Sequence, residues 1–244
     1  MQFCIFPIGG EGRRFSSKDF VDPKPFVEIY GRSQLEWSVL SCRRNFPEAQ
    51  IIIGYRSGLA TRCLEFVERS AKEYGLNIKA VDIGVATLGA AHSVALVLEK
   101  IGCSTKDFEF LVLDNDVALK LSHEKRFLNG SAGLVTTKSK NPSHSFVIFD
   151  ELGIVKSIEE KVIISDDGVV GNYFFKSAAE YLDHFARLPS AEDEKYVSNV
   201  IKSYLRNDSL VLAESALAVC SFGTPEELSL LNPESFKFIG IEIV

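Results

Sequence analysis

Four short apolar runs alternate with three helical patterns over the first half of this chain, and that alternation constrains the fold more than any other feature. Gln2 to Ile8, Gln50 to Tyr55, Ile78 to Ile83 and Phe108 to Leu113 are brief and rich in β-branched and aromatic residues, as buried strands are. Between them come a helix after Ser33, one over Ser57 to Tyr74 that stops at Gly75, and one over Leu88 to Ile101. The Ser33-Gln34-Leu35-Glu36 tetrad is a capping box, which marks the first helix start. In the second helix Leu59, Cys63, Phe66 and Val67 share one face, and in the third Val94, Ala95, Val97 and Leu98 demand deep burial. Strand–helix repeats with short connections predict a parallel, doubly wound sheet with right-handed crossovers.

After Asp116 the pattern changes. Gly133 to Thr137, Ser145 to Asp150, Gly153 to Ile158 and Val169 to Lys176 read as strands, followed by helices over Ala178 to Arg187 and Asp193 to Leu205. Further strands are expected near Leu210 to Ala213 and Ala216 to Ser221, and a short helix over Pro225 to Leu231. No linker or repeat divides the chain. One α/β domain is therefore expected: a Rossmann-like mixed sheet, mostly parallel, with added C-terminal strands and helices, a nucleotide-binding half over 1–120 and an acceptor-binding half over 121–244.

Composition removes several classes. The 244 residues carry 27 basic and 33 acidic side chains, a net charge of −6, which argues against a nucleic-acid partner because phosphate backbones recruit excess Lys and Arg. A nucleotide needs only one local basic pocket, so it stays open. No apolar run is long enough to span a bilayer, and the N-terminus lacks the basic region of a signal peptide. Cys4, Cys42, Cys63, Cys103 and Cys220 are odd in number and unpaired in spacing, as buried thiols of a cytoplasmic protein are. His92, His123, His144 and His184 lack metal-ligand spacing, and Trp37 and most of the 18 Phe read as packing.

The chemistry concentrates at Phe6-Pro7-Ile8-Gly9-Gly10-Glu11-Gly12-Arg13-Arg14-Phe15 and at Asp22-Pro23-Lys24-Pro25-Phe26. Glycines directly after a first strand expose backbone N–H groups to an approaching phosphate. Arg14 can fork onto phosphate oxygens, and two prolines are expected to hold Lys24 in an extended, rigid segment. The block is not a Walker A loop, since no G-K-[ST] follows, and it lacks the third glycine of the dinucleotide fingerprint. The bland reading of Asp114-Asn115-Asp116 is a polar turn after a buried strand; a phosphate loop on a neighbouring strand favours a ligand role instead.

The G-G-x-G-x-R-F … P-K-P-F pattern resembles that of the sugar-phosphate nucleotidylyltransferases, most closely their capsule and lipopolysaccharide biosynthesis branch. Thr87-Leu88-Gly89-Ala90-Ala91 is similar to the family's nucleobase loop, and Leu111 to Asp116 to its metal-bearing strand end. Ile158-Glu159-Glu160-Lys161 and Gly171-Asn172-Tyr173-Phe174-Phe175 are similar to its acceptor segments, and Gly223-Thr224-Pro225-Glu226-Glu227-Leu228 to its late G-T-P block. The resemblance implies a GT-A-like fold and transfer of a nucleoside monophosphate from an NTP to a phosphorylated small molecule, with pyrophosphate leaving. It implies catalytic roles for Arg14, Lys24 and Asp116. Ile8, Gly9, Gly10, Glu11, Gly12, Arg13, Thr87, Leu88, Gly89, Ala90 and Asp114 would hold the nucleotide, and Glu160, Lys161, Gly171, Asn172 and Tyr173 the acceptor. Mg²⁺ would sit on Asp116, with Asp114 as second choice.

The sequence departs from the family pattern at two places. Ser221 stands where many relatives carry a second metal Asp, with Glu226 or Asp114 as substitutes, and Arg13 replaces a small hydroxyl residue. The base (CTP, UTP, dTTP or GTP) stays open, as does the acceptor (sugar phosphate, polyol, amino alcohol or amino acid). A homo-oligomer is compatible with the sequence. A metal-dependent glycosyltransferase using Asp114 and Asp116 as D-x-D, and a non-catalytic nucleotide- or sugar-binding relative, are the competing readings.

Overall fold

The computed structural model describes residues 3–10, 22–102, 107–189 and 194–241. Its first half runs β1 (Phe3–Ile8), a hairpin of β2 (Glu28–Ile29) and β3 (Arg32–Ser33), α1 (Gln34–Asn45), β4 (Gln50–Arg56), α2 (Ala60–Tyr74), β5 (Ile78–Gly84), α3 (Ala90–Lys100) and β6 (Phe110–Leu113). Then come β7 (Val117–Lys120), β8 (Ala132–Lys138), β9 (Ser145–Phe149), β10 (Val155–Glu160) and β11 (Asp167–Phe175). The chain ends with α4 (Ala178–Ala186), α5 (Val197–Arg206), β12 (Val211–Ser215), β13 (Ala218–Ser221), α6 (Pro225–Leu230) and α7 (Pro233–Ile239).

The local chemistry explains the boundaries. Ser33 caps α1 by accepting the Glu36 N–H at 3.2 Å, and α2 ends where Gly75 turns left-handed. Three helices start later than the apolar pattern predicts. α2 begins at Ala60, after a single 3-10 turn over Ser57–Leu59. α3 begins at Ala90 because Gly89, at φ 126°, holds the entry outside helical space. α5 begins at Val197, and Lys195 just before it is hydrogen-bonded to the Leu88–Ala91 loop through its own N–H and C=O. The sequence pattern does not predict the β2–β3 hairpin, the strand β7 or the helix α7.

A nine-stranded sheet forms the middle of the molecule. Its main path runs β10-β9-β11-β6-β1-β4-β5, and β8 joins β11 to β12. β6, β1, β4 and β5 are parallel, as the strand–helix alternation requires. β11 enters antiparallel beside β6, in register from Asn172↔Leu113 to Phe175↔Phe110. It also pairs with β8, with an irregularity between Val169 and Tyr173. β7 and β13 make a separate two-stranded ribbon.

Apolar residues cover both faces. Ile5, Ile52, Val112 and Phe175 pack on one side with Val94, Val97 and Leu98 of α3, Tyr181 of α4 and Ile201 of α5. Phe6, Ile51, Leu111 and Phe174 pack on the other side with Leu35 and Val39 of α1 and Cys63 and Phe66 of α2. A third cluster joins Trp37 to Cys220, Phe222 and Phe236. Trp37 is fully buried, lies with its ring tilted 30° against Phe236 at a centroid distance of 4.0 Å, and donates to the Ile29 carbonyl at 2.8 Å. Cys4, Cys42, Cys63 and Cys220 are free and buried, while Cys103 lies outside the described residues. Among the described residues no helix is long and apolar enough to cross a membrane.

Candidate active site

The carboxyl ends of β1 and β6 face a cavity of about 260 Å³, where ligands of open α/β sheets bind. Pro7 of β1, the Asp114-Asn115-Asp116 turn, Lys24, Glu160, Lys161, Gly171 and Tyr173 all line it. Side chains distant in sequence thus converge, because β6 runs between β1 and β11 and delivers its turn to the same opening.

At one end of the cavity, Lys24 Nζ lies 2.5 Å from Asp116 Oδ2, with side chains only 15% and 20% exposed. The P-K-P segment is not extended as the prolines predict: it forms one helical turn, Lys24–Phe26, with proline at the turn's start, and the burial of Pro25 and Phe26 presents the ammonium from a fixed backbone. Asp116 is fixed from the other side: its carbonyl accepts the Phe222 N–H at 2.9 Å. A Cβ on Gly223 would lie 2.6 Å from Asp116 Oδ2, so only glycine leaves the carboxylate its room. Asp114 is seated in the same manner. Its N–H donates to the Gly171 carbonyl at 2.8 Å. A Cβ on Gly171 would fall 2.0 Å from Asp114 Oδ2, and Gly171 also holds a left-handed φ of 63°.

The late G-T-P block builds the wall beside Asp116. Thr224 caps α6, and Glu227 Oε2 accepts the N–H groups of Gly223 at 2.9 Å and Thr224 at 3.1 Å. Glu227 and Ser221 both line the cavity, whereas Glu226 does not. Burial, with the Glu227 charge as a smaller cause, pushes the Cys220 thiol up to about 12.

At the other end, hydroxyl groups surround the charges. Glu160 Oε2 accepts from Ser198 Oγ at 2.6 Å and also from Ser145 Oγ. Lys161 has a left-handed φ of 56°, and its N–H donates to the His144 carbonyl at 3.1 Å. Its ammonium reaches Tyr196, donating to the hydroxyl and lying 4.3 Å from the ring centroid. The Tyr196 hydroxyl in turn donates to Glu194. Tyr173 is buried, and that burial raises its phenol well above the ordinary range, with the carboxylates of Asp114 and Glu160 adding to the rise.

Not every expected residue faces this cavity. Asn172 alternates with Gly171 and Tyr173 along β11, so it points to the opposite face and lines a small cavity with Phe6, Ser38, Ser41 and Asn45. Ile8 is buried in the core below the opening, and Gly10 is exposed. A Cβ on Gly9 would press on Ile83 and Ser93, which packs this backbone against the start of α3. Of Thr87, Leu88, Gly89 and Ala90, only Ala90 lines the large cavity; Thr87 Oγ1 is hydrogen-bonded to Ser93 Oγ at 2.6 Å. Glu11, Gly12, Arg13 and Arg14 lie outside the described residues. The structure adds Ser145, Ser198, Glu194 and Tyr196, and it places Ser221 and Glu227 of the late motif in the cavity lining. Among the described residues no three His, Cys, Asp or Glu side chains group as a ready metal site. Asp116 and Asp114 nevertheless offer hard oxygen donors in glycine-made seats, which suits an ion that takes one or two carboxylates and completes its shell with phosphates.

No sequence-family model and no curated protein matches this chain. Solved structures do. A nucleoside-diphosphate-sugar pyrophosphorylase from Vibrio cholerae RC9 superposes with a TM-score of 0.81 at 20% identity, over 96% of this chain and 99% of that one. An inositol-1-phosphate CTP transferase from T. maritima follows at 0.73 and 17%, over 98% and 94%. A UDP-glucose pyrophosphorylase from Acinetobacter baumanii gives 0.71 and 18%, over 98% and 93%. The chain therefore has the fold of the nucleotidyltransferases, along essentially its whole length.

Proposed function

We propose that this protein is a nucleotidylyltransferase that transfers a nucleoside monophosphate from an NTP to a phosphorylated small molecule, a sugar 1-phosphate or a similar compound. The observation that carries the reading is the convergence of Lys24, Asp116 and Asp114 with Glu160, Lys161 and Tyr173 on one cavity, in a fold shared with a nucleoside-diphosphate-sugar pyrophosphorylase. Two anionic reactants must meet there, so the protein's task is positioning and neutralisation rather than covalent chemistry.

In this reading the acceptor's phosphate oxygen attacks the α-phosphorus and pyrophosphate leaves. Lys24 neutralises the α-phosphate and the acceptor phosphate as they approach. Asp116, with Asp114 beside it, would hold Mg²⁺, and the bound ion offsets the like charge of the reactants. The Gly9–Gly12 loop with Arg13 and Arg14 takes the β and γ phosphates, and Thr87–Ala90 lies against the base. Lys161 meets the acceptor phosphate. Glu160, oriented by Ser145 and Ser198, accepts hydrogen bonds from acceptor hydroxyls, and Tyr173 donates one. A role in surface-polysaccharide biosynthesis in the cytoplasm belongs to the same proposal.

Pyrophosphate release across a matrix of CTP, UTP, dTTP and GTP with sugar and polyol phosphates, in Mg²⁺, tests it. One pair should turn over. No turnover with any pair at high enzyme concentration refutes the reading, and release of a nucleoside diphosphate from a sugar nucleotide would favour glycosyl transfer instead.

A further inference from the structure

The base-side loop and the acceptor-side wall are tied by backbone. Lys195 donates its N–H to the Leu88 carbonyl at 2.5 Å and accepts the Ala91 N–H at 3.0 Å, a two-bond clasp across the cavity's edge. Gly89 lies inside the clasp. Its φ is 126°, and a Cβ there would sit 2.6 Å from Lys195 O and 2.8 Å from Lys195 N. The neighbours of Lys195 on either side, Glu194 and Tyr196, both line the cavity.

Tyr196 occupies the N-cap of α5, where Ser, Thr, Asp or Asn is the usual choice. Asn199 completes that cap by accepting the Tyr196 N–H at 3.2 Å. The Tyr196 side chain instead spans to Lys161, taking the ammonium on its hydroxyl and over its ring face, and passes a hydrogen bond on to Glu194. Lys161 for its part holds a left-handed backbone that a non-glycine residue adopts at a cost. Strain of that kind persists where the surroundings over-determine the conformation, and here they aim a lysine at a tyrosine.

We propose that Glu194–Tyr196 is a strap that couples the two substrate ends, with Tyr196 as the positioning residue for Lys161. Displacing the Leu88–Ala91 loop moves Lys195 through the clasp, and Tyr196 carries that movement to the Lys161 ammonium. An occupied nucleotide loop thereby sets the cation that meets the acceptor phosphate. The proposal rests on the reading of Lys161 as the acceptor-phosphate residue, and it extends that reading to a coupling between sites.

The test separates the two. In the ligand-free protein the Lys161 ε-methylene protons should resonate upfield, under the Tyr196 ring. Gly89→Ala should move them toward the ordinary lysine position while the rest of the spectrum stays dispersed. Inorganic phosphate, followed at the Lys161 resonance, should bind about fivefold or more tightly once CTP, UTP, dTTP or GTP is bound, and Gly89→Ala should abolish that gain. Tyr196→Phe, which keeps the ring, should weaken phosphate at Lys161 about tenfold and leave NTP affinity alone, the size expected for one hydrogen bond to a charged group. An unmoved Lys161 resonance in folded Gly89→Ala overturns the strap. Should that variant not fold, unchanged phosphate affinity in Tyr196→Phe overturns it. Failure of every NTP to bind counts against the proposed reaction, while the ligand-free resonance still decides the strap.

Discussion

The two ends of the cavity hold their charges differently. At the Lys24 end, ammonium and carboxylate touch directly, and each is fixed by backbone: a proline-braced turn on one side, the Phe222 N–H and the Gly223 seat on the other. At the Glu160 end, hydroxyls intervene, with Ser145 and Ser198 on the carboxylate and Tyr196 on the ammonium. A direct pair in a shielded place presents a fixed charge pattern, which suits neutralising a crowded set of phosphates. Charges wrapped in hydroxyls can exchange hydrogen bonds with a polyhydroxy ligand without leaving a buried ion unpaired. In the proposed reaction the first end would serve catalysis and the second recognition.

If that contrast holds, the largest effects fall at the first end. Lys24→Ala and Asp116→Ala should each lower kcat about 10²-fold or more, the order expected for losing one preorganised charge. Near-normal turnover in pyrophosphate-release assays would remove those roles. Gly171→Ala forces a Cβ into Asp114 and a left-handed φ on a side chain. It should cost about 1–3 kcal/mol, read as a drop in thermal midpoint of several degrees, with kcat falling more than acceptor affinity. Glu160→Gln, at the second end, should raise the acceptor KM about tenfold and leave kcat within a few-fold, since it removes a charge but keeps an acceptor for the two serines. An equal loss in kcat would erase the distinction between the ends.

The smallest effect concerns the scaffold under the recognition end. His184 on α4 is buried against Tyr204 of α5, the helix that Tyr196 caps. Burial, aided by the charge of Arg187, lowers its pKa below the usual 6.5. Its folded form therefore binds its proton less readily than the unfolded chain does. The stability it contributes is present above pH 6.5 and is lost as the pH falls through the depressed value. Thermal midpoints between pH 8 and pH 5 should decline for the native chain and decline less for His184→Gln. Parallel curves for the two proteins would show that His184 contributes nothing to the decline.

Legibility followed the same divide. Ser33, Gly75 and the apolar runs announce helix starts, stops and buried strands through local chemistry, and the parallel half follows from them. Lys24 and Asp116 stand out in the sequence because each lies in a compact motif that resembles a known family's, but their direct contact is legible only in the structure. The hydroxyl shell could not. Ser145, Ser198 and Tyr196 are ordinary polar residues on β9, α5 and its entry, and only the insertion of β11 beside β6 brings them to the cavity that Lys24 and Asp116 share. Asn172 shows what a motif leaves out: it resembles an acceptor residue in a linear pattern, yet strand alternation turns it away from Tyr173. That signal was present in the spacing. β7 was too short beside the Asp114–Asp116 turn to announce itself, and α7 follows a Pro-Glu start with little periodicity.

β11 also has a consequence for assembly. It is hydrogen-bonded to β6, β8 and β9, so it closes the parallel half and opens the antiparallel one. Until it docks, β6 has a bare edge, and edges of that kind pair with whatever strand arrives first. The partners are far apart in sequence, so this closure belongs to the slow, loop-limited steps of folding. A nascent chain released before residue 175 would carry Lys24, Asp116 and an open sheet at once, a species prone to aggregate through β6.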